Sequence, residues 1–121
     1  MFYLAGPYSI DPERMYKRHK KAWQRLYDQT GATIFSPVVF LSSVTQGRTY
    51  GEDAILELCL KYLRRCDGLI RLPGKSPGSD LECQAAARYG IQIWDGREPI
   101  GDFVYWYKNR SVINNKAPAN V

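Results

Sequence analysis

The chain has 121 residues, a net charge of +5, and 45% hydrophobic and 24% charged residues. This length suits one domain with a buried core, and the composition excludes a disordered or fibrous protein. No apolar run approaches the roughly 18 residues of a membrane span, and the apolar start followed by charges is the reverse of a secretory signal. We therefore expect a cytoplasmic protein without a membrane partner.

The cysteines are an odd number with no CxxC spacing: Cys59, Cys66 and Cys83. They predict buried free thiols rather than a disulfide framework or a zinc site. The sequence predicts neither a metal ion nor a cofactor.

Strand and helix patterns alternate along the chain. Short apolar runs predict strands at 2–5, 33–35, 69–72 and 91–94. Helical spacing and end signals predict helices at 11–29, 52–65, 79–88 and 99–107. The segments 36–50 and 73–78 are predicted to be loops, and a polar, frayed tail is predicted from Asn109.

This alternation predicts a single α/β domain over residues 1–110, followed by a polar tail at 111–121. The architecture is a Rossmann-like (flavodoxin-like) parallel sheet with helices on both faces. Ligands of such sheets bind beyond the carboxyl ends of the strands. We therefore expect the binding site at the loops 6–10, 36–50 and 73–79.

Positive charge is concentrated on one face of the first predicted helix. That face holds Arg14, Lys17, Arg18, Lys21 and Arg25. The excess suits an anionic ligand, either a small phosphate or a nucleic acid. A solvated helix face explains the cations without any ligand, and no aromatic side chain lies among them to stack on bases. We therefore favour a small anion over a nucleic acid.

The start of the helix predicted at 79–88 has two interpretations. Gly78 permits close approach of the backbone, the first N–H groups of the helix can hold an anion, and Ser76 adds a hydroxyl. Glu82 then faces the same crevice. Alternatively, Ser79 and Glu82 form a capping box, in which Glu82 folds back on the backbone of Ser79 and no ligand is needed.

An ordered set of short motifs bears on this choice. It consists of Tyr3-Leu4-Ala5-Gly6-Pro7-Tyr8-Ser9, Ser36-Pro37, Arg65-Cys66-Asp67, and Leu72-Pro73-Gly74 followed by Ser76, Gly78 and Glu82. In this order the motifs resemble the nucleoside 2-deoxyribosyltransferase superfamily. Within it they are most similar to small bacterial and phage members and to the 2′-deoxynucleoside 5′-phosphate N-hydrolases. The resemblance covers residues 1–95.

The resemblance implies hydrolysis or transfer at the N-glycosidic bond of a (deoxy)nucleoside 5′-monophosphate, without a cofactor. Glu82 matches the catalytic nucleophile of the family, which attacks the anomeric carbon and leaves a glycosyl-enzyme ester. Tyr3 matches a tyrosine whose hydroxyl orients that glutamate. Ser76 matches a serine of the members that accept a 5′-phosphate. Substrate contacts are expected from Gly6, Tyr8, Ser9, Ser76 and Gly78.

One position departs from the family pattern. Cys59 stands where family enzymes commonly carry an aspartate that serves in acid–base work near the leaving base. A neutral thiol is a poor substitute for a carboxylic acid, and Glu57 and Asp53 do not share its position on the helix. Two alternatives therefore stay open: a catalytically weakened nucleotide-binding protein of the same fold, and a basic nucleic-acid-binding domain.

Two further residues carry polar groups in apolar surroundings. His19, the single histidine, is predicted to be a core residue far from the loops. Arg71 lies in an apolar strand, where it either reaches the crevice or marks an exposed strand face.

The last predicted helix indicates self-association. It carries five consecutive apolar or aromatic residues, Phe103, Val104, Tyr105, Trp106 and Tyr107. A helix turns about 100° per residue, so these side chains cannot all face one core. Exposed aromatic patches usually mark interfaces, and the enzymes of the resembled family are homo-oligomers. We predict a homodimer or larger homo-oligomer with the helix near Trp106 in the contact.

Overall fold

The computed structural model describes the backbone of residues 1–45 and 50–115, and the side chains of residues 1–45 and 50–110. Its strands are β1 (Phe2–Ala5), β2 (Ile34–Phe35), β3 (Gly68–Arg71) and β4 (Gln92–Trp94). Its helices are α1 (Pro12–Thr30), α2 (Pro37–Val44), α3 (Glu52–Leu63), α4 (Pro77–Arg88) and α5 (Pro99–Asn115).

The strands form one parallel sheet in the order β2-β1-β3-β4. Phe2 of β1 pairs with Ile34 of β2 on one side and with Gly68 of β3 on the other. This order is that of flavodoxin-like sheets, and helices connect the successive strands. The predicted single-domain α/β fold with a parallel sheet is confirmed.

The alternation of side chains along β1 creates two hydrophobic cores, one on each face of the sheet. On one face, Leu4 packs with Leu26 of α1 and Phe103 of α5. On the opposite face, Tyr3 packs with α3 and with Ala85 of α4. Helices therefore cover both faces, and neighbouring residues of one strand serve different cores.

Helix α1 begins and ends where local chemistry predicts. The side chain of Asp11 accepts a hydrogen bond from the Arg14 N–H at 3.3 Å, and Pro12 occupies the first helical position. Gly31 ends the helix in the left-handed region, with φ 67°, and its N–H donates to the Tyr27 carbonyl at 2.8 Å.

The interpretation of residues 36–50 as a loop is wrong, because α2 occupies much of this segment. Ser36 caps the helix by accepting a hydrogen bond from the Val39 N–H at 3.3 Å, and Pro37 is its first residue. A Ser-Pro pair both ends a strand and starts a helix. The apolar residues that follow pack against α1 and β1. Residues 46–49 of the predicted loop lie outside the described residues.

Helix α5 is longer than predicted. It spans Pro99–Asn115 rather than 99–107, so the first part of the expected tail is helical. Residues 116–121 of that tail lie outside the described residues. Among the helices of the described ranges, none is long and apolar enough to cross a membrane.

The strand order reverses at β1, because β2 lies on one side of it and β3 on the other. The segments that follow β1 and β3 meet at this point. The Leu72 N–H donates to the Ala5 carbonyl at 2.9 Å, and Arg18 of α1 donates to the Pro73 carbonyl at 2.8 Å. In parallel sheets the crevice at such a reversal is the usual place for a ligand.

Candidate active site

Helix α4 starts two residues earlier than predicted, and this start removes the capping-box interpretation. Ser76 is the N-cap, because its Oγ accepts a hydrogen bond from the Ser79 N–H at 3.2 Å, and Pro77 is the first helical residue. Ser79 therefore lies inside the helix and Glu82 in its second turn. The capping box between Ser79 and Glu82 is wrong, and the Glu82 carboxyl is free to face the sheet.

Glu82 meets Tyr3 in the core between α4 and the sheet. The Tyr3 hydroxyl donates a buried hydrogen bond to Glu82 Oε2. Tyr3 is fully buried, and Glu82 keeps 9% of its surface exposed. The two residues are 79 positions apart in the chain, so the fold alone brings them together. The expected nucleophile and the expected orienting tyrosine are therefore in direct contact.

Burial changes the protonation of this pair. It raises the pKa of the Glu82 carboxyl to about 7, because the charged form loses its hydration. The hydrogen bond from Tyr3 and the positive charge of Arg71 act in the opposite direction, since both favour the carboxylate. Burial also raises the pKa of Tyr3, so its hydroxyl is a neutral donor. Near neutral pH, Glu82 is therefore present in both protonation states.

Cys59 lies beside this pair. It is buried on α3 and belongs to the same hydrophobic core as Tyr3. Burial raises the pKa of the thiol, which is therefore neutral near pH 7. Asp53 and Glu57 of the same helix are exposed. The residue that departs from the pattern of the resembled family thus lies beside the Tyr3–Glu82 pair, and none of the three exposed carboxylates of α3 takes its place.

Arg71, whose role the sequence leaves open, joins the end of β3 to the start of α4. Its guanidinium lies 2.5 Å from an Asp80 carboxylate oxygen and donates to the Gly74 carbonyl at 3.1 Å. Its side chain is largely buried, so it does not mark an exposed strand face. Arg71 therefore fixes the loop before α4, and its charge helps to stabilise the ionised form of Glu82.

Gly6 is required by packing. A Cβ at this position would lie 2.9 Å from the Leu72 Cβ and 3.1 Å from the His19 ring. His19 is fully buried, and its Nε2 lies 3.1 Å from the Pro7 carbonyl. The expectation that His19 lies far from the loops is wrong, because α1 carries it against the loop that follows β1. Burial lowers the pKa of His19, so the neutral ring is favoured.

Tyr8 and Ser9 lie on the exposed side of the loop after β1. Tyr8 lines an open groove of about 460 Å³ together with Tyr16 of α1 and Ser42 of α2. The residues that line this groove do not include Glu82. The structure therefore places Tyr8 at the carboxyl edge of the sheet but not in one cavity with the carboxyl group.

Gly78 and Ser76 differ in what surrounds them. A Cβ at Gly78 would meet no atom within 4 Å, so the packing of the chain does not require glycine there. Ser76 is occupied by the helix cap and donates a further hydrogen bond to Ser79 Oγ at 2.9 Å. The space beside α4 is therefore open at Gly78, while the Ser76 hydroxyl already has protein partners.

A known family matches the part of the chain that contains Tyr3, Cys59, Arg71 and Glu82. The sequence model of the family described as Domain of unknown function (DUF4406) matches residues 1–95. The chain belongs to this family. The DUF4406 match includes Tyr3, Cys59, Arg71 and Glu82, and it ends before α5. A comparison with curated proteins finds no match.

Two contacts at this site are not predicted from the sequence. The sequence gives only a weak indication of the ion pair between Arg71 and Asp80, namely a cation at the end of an apolar strand, nine residues before an acid. It gives no indication of the contact between His19 and Pro7, because that contact depends on how α1 packs on the sheet. In the part of the chain with described side chains, no three His, Cys, Asp or Glu residues are grouped to hold a metal ion.

Proposed function

We propose that this protein cleaves the N-glycosidic bond of a (deoxy)nucleoside 5′-monophosphate, by hydrolysis or by transfer to another base, with Glu82 as the nucleophile. The observation that carries the proposal is the buried hydrogen bond from the Tyr3 hydroxyl to the Glu82 carboxyl. It fixes a carboxyl group whose pKa burial raises to about 7. Such a group can attack a sugar carbon and stabilise an oxocarbenium-like transition state.

The reaction proceeds in two displacements. First, a Glu82 oxygen bonds to the anomeric carbon while the carbon–nitrogen bond breaks, and the electron pair leaves with the base. The departing base takes a proton from water or from a nearby acid. A water molecule or another base then attacks the same carbon and loses a proton, which releases the Glu82 carboxylate. Tyr3 stays neutral throughout and orients the carboxylate by its hydrogen bond.

The start of α4 supports a phosphorylated substrate. A helix N-terminus attracts anions through its free N–H groups and its dipole. Gly78 leaves open space there, and Lys75 is exposed just before the helix. The net charge of +5 favours the approach of an anion. Because Glu82 follows Gly78 by one helical turn, a phosphate at the helix start places the attached sugar on the side of the carboxyl group.

The test is release of free base from 2′-deoxynucleoside 5′-monophosphates, followed by chromatography. Glu82→Gln keeps the size of the side chain, but an amide is a very weak nucleophile, so we expect base release to be abolished and the fold to be retained. Glu57→Gln is the matched control, because Glu57 is an exposed glutamate of α3, 74% exposed and 3.9 Å from Lys61. Its rate should equal that of the wild type. Undiminished release by the Glu82→Gln variant would reject Glu82 as the nucleophile.

Cys59 supports a second candidate, nucleotide binding without cleavage. A buried thiol with a raised pKa is a weak acid for protonating a leaving base, and no carboxylate of α3 lies in its place. In that case the same monophosphates raise the unfolding temperature, yet the wild-type protein releases no base. Base release by the wild type that depends on Glu82 excludes this candidate.

A further inference from the structure

A second concave site lies at the carboxyl end of β3, between α1, the loop after β3 and the start of α5. It is a cavity of about 340 Å³ with an apolar floor that includes Ala22, Leu72 and Ile100. These residues belong to the core of the α1 and α5 face or pack against it, whereas Tyr3 belongs to the opposite core. The cavity is therefore separate from the Glu82 site.

Four cationic side chains surround this cavity, Arg18, Lys21, Arg25 and Arg97. Among the described residues, no carboxylate lies within 4 Å of any of these four cations, and Glu98 is the one acidic residue of the lining. Arg18 is held in place because it donates to the Pro73 carbonyl at 2.8 Å. Cations gathered around a hollow without neutralising partners repel one another, and a bound anion relieves that repulsion.

The start of α5 adds a further positive element. Pro99 and Ile100 line the cavity and are the first two residues of this 17-residue helix. The first N–H groups of a helix have no partner within it, and the positive end of the helix dipole lies there. The start of α5, three side chains of α1 and Arg97, which lies just before α5, thus line one hollow.

We propose that this cavity binds a small phosphate ester whose organic part is apolar or aromatic. The cations suit the phosphate, the apolar floor suits the organic part, and the volume is that of a small-molecule site. A nucleic acid would also engage the cations of α1 outside the cavity, Arg14 and Lys17. Lys17 is already 3.7 Å from Glu13, and the hollow is concave rather than a protruding surface. The site does not depend on the function proposed for Glu82.

The test is calorimetric titration of the full chain with phenyl phosphate and with inorganic phosphate at low ionic strength. We expect phenyl phosphate to bind more tightly, because its ring covers the apolar floor. The double variant Arg25→Gln/Arg97→Gln should weaken phenyl phosphate binding about tenfold or more for each cation removed. Both side chains are exposed, so the fold should be kept, and thermal unfolding checks this. Arg18 is left intact because of its contact with Pro73.

Two control variants separate this cavity from other surfaces. Arg65→Gln/Arg88→Gln removes the same charge from exposed positions elsewhere and should leave the affinity unchanged. Affinity that persists in Arg25→Gln/Arg97→Gln, or no binding to the wild type, would overturn the proposal. If Arg14→Gln/Lys17→Gln weakens phenyl phosphate binding equally, the proposal is overturned in favour of a diffuse nucleic-acid surface on α1.

Discussion

Glu82 and Tyr3 form a buried pair in which one partner titrates near neutral pH. The contact itself follows from the resemblance seen in the sequence, which assigns a tyrosine to orient the glutamate. The burial of the pair and the raised pKa of Glu82 could not be predicted from the sequence, because they depend on how α3 and α4 pack on the sheet. The same is true of His19, whose spacing predicts a core position but not the loop it contacts.

Removal of Glu82 should change how stability depends on pH. The pKa of the carboxyl rises from its ordinary 4.5 in the unfolded chain to about 7 in the folded protein, so the folded state holds the proton more tightly. The contribution of Glu82 to the free energy of unfolding is therefore greatest below pH 4.5 and declines as the pH rises to about 7. Relative to Glu82→Gln, the wild type should lose about 3 kcal/mol over this interval. Urea denaturation at a series of pH values measures the difference.

His19 also makes stability depend on pH, and the comparison with Glu82→Gln removes its effect. Its pKa is lowered in the folded protein, so its contribution to stability is lost as the pH falls below the ordinary value of 6.5, the opposite direction to Glu82. The His19 contribution is present in both proteins and cancels in the comparison. A difference between wild type and Glu82→Gln that stays constant with pH would contradict the raised pKa of Glu82.

Three helices begin with the same local chemistry, a capping side chain followed by proline. The pairs are Asp11-Pro12, Ser36-Pro37 and Ser76-Pro77. The sequence patterns predict the first of these helices at 11–29, but they predict a loop over 36–50 and a helix that begins only at residue 79. If all three pairs are taken as helix starts, the sequence predicts α2 and places the start of α4 two residues earlier. Glu82 then lies too far along α4 to cap it and can face the core.

Ser76 tests whether the start of α4 holds a phosphate or only a cap. Ser76→Asp should leave the free energy of unfolding nearly unchanged, because aspartate caps helices as well as serine does, whereas Ser76→Ala should lower it by about 1 kcal/mol. If a 5′-phosphate binds there, the new carboxylate repels it and base release from monophosphates should fall about tenfold or more. Release from the unphosphorylated nucleoside should not fall.

Equal effects of Ser76→Asp on the two substrates would show that Ser76 does not lie near the phosphate. Loss of stability in Ser76→Asp as large as in Ser76→Ala would show that the helix start tolerates no carboxylate. The two variants together therefore separate the structural contribution of Ser76, which its hydrogen bond to the Ser79 N–H establishes, from the binding contribution that remains a proposal.

Trp106 lies partly inside its own chain. It packs against Phe2 and Trp94, with ring centroids 6.1 and 5.1 Å apart, because the aromatic side chains of α5 fold onto β1 and β4. The contact of the helix near Trp106 with another copy of the chain stays a prediction. On α5, Tyr105 is the exposed large apolar residue of the described part, at 71%.

Exposed apolar side chains also lie on α2 and α3, and we expect a homodimer or larger assembly to use them. Phe40 and Val44 of α2 are exposed, as is Leu58 of α3, and Phe40 contacts Tyr62 of α3 at a centroid distance of 6.2 Å. Light scattering should give a mass above the 13.9 kDa of one chain. Val44→Lys, at a position 55% exposed at the end of α2, should shift the protein towards the monomer without unfolding it.

Tyr105→Lys is the matched control and should leave the mass unchanged. A wild-type monomer would refute the assembly, and dissociation by Tyr105→Lys alone would return the interface to α5.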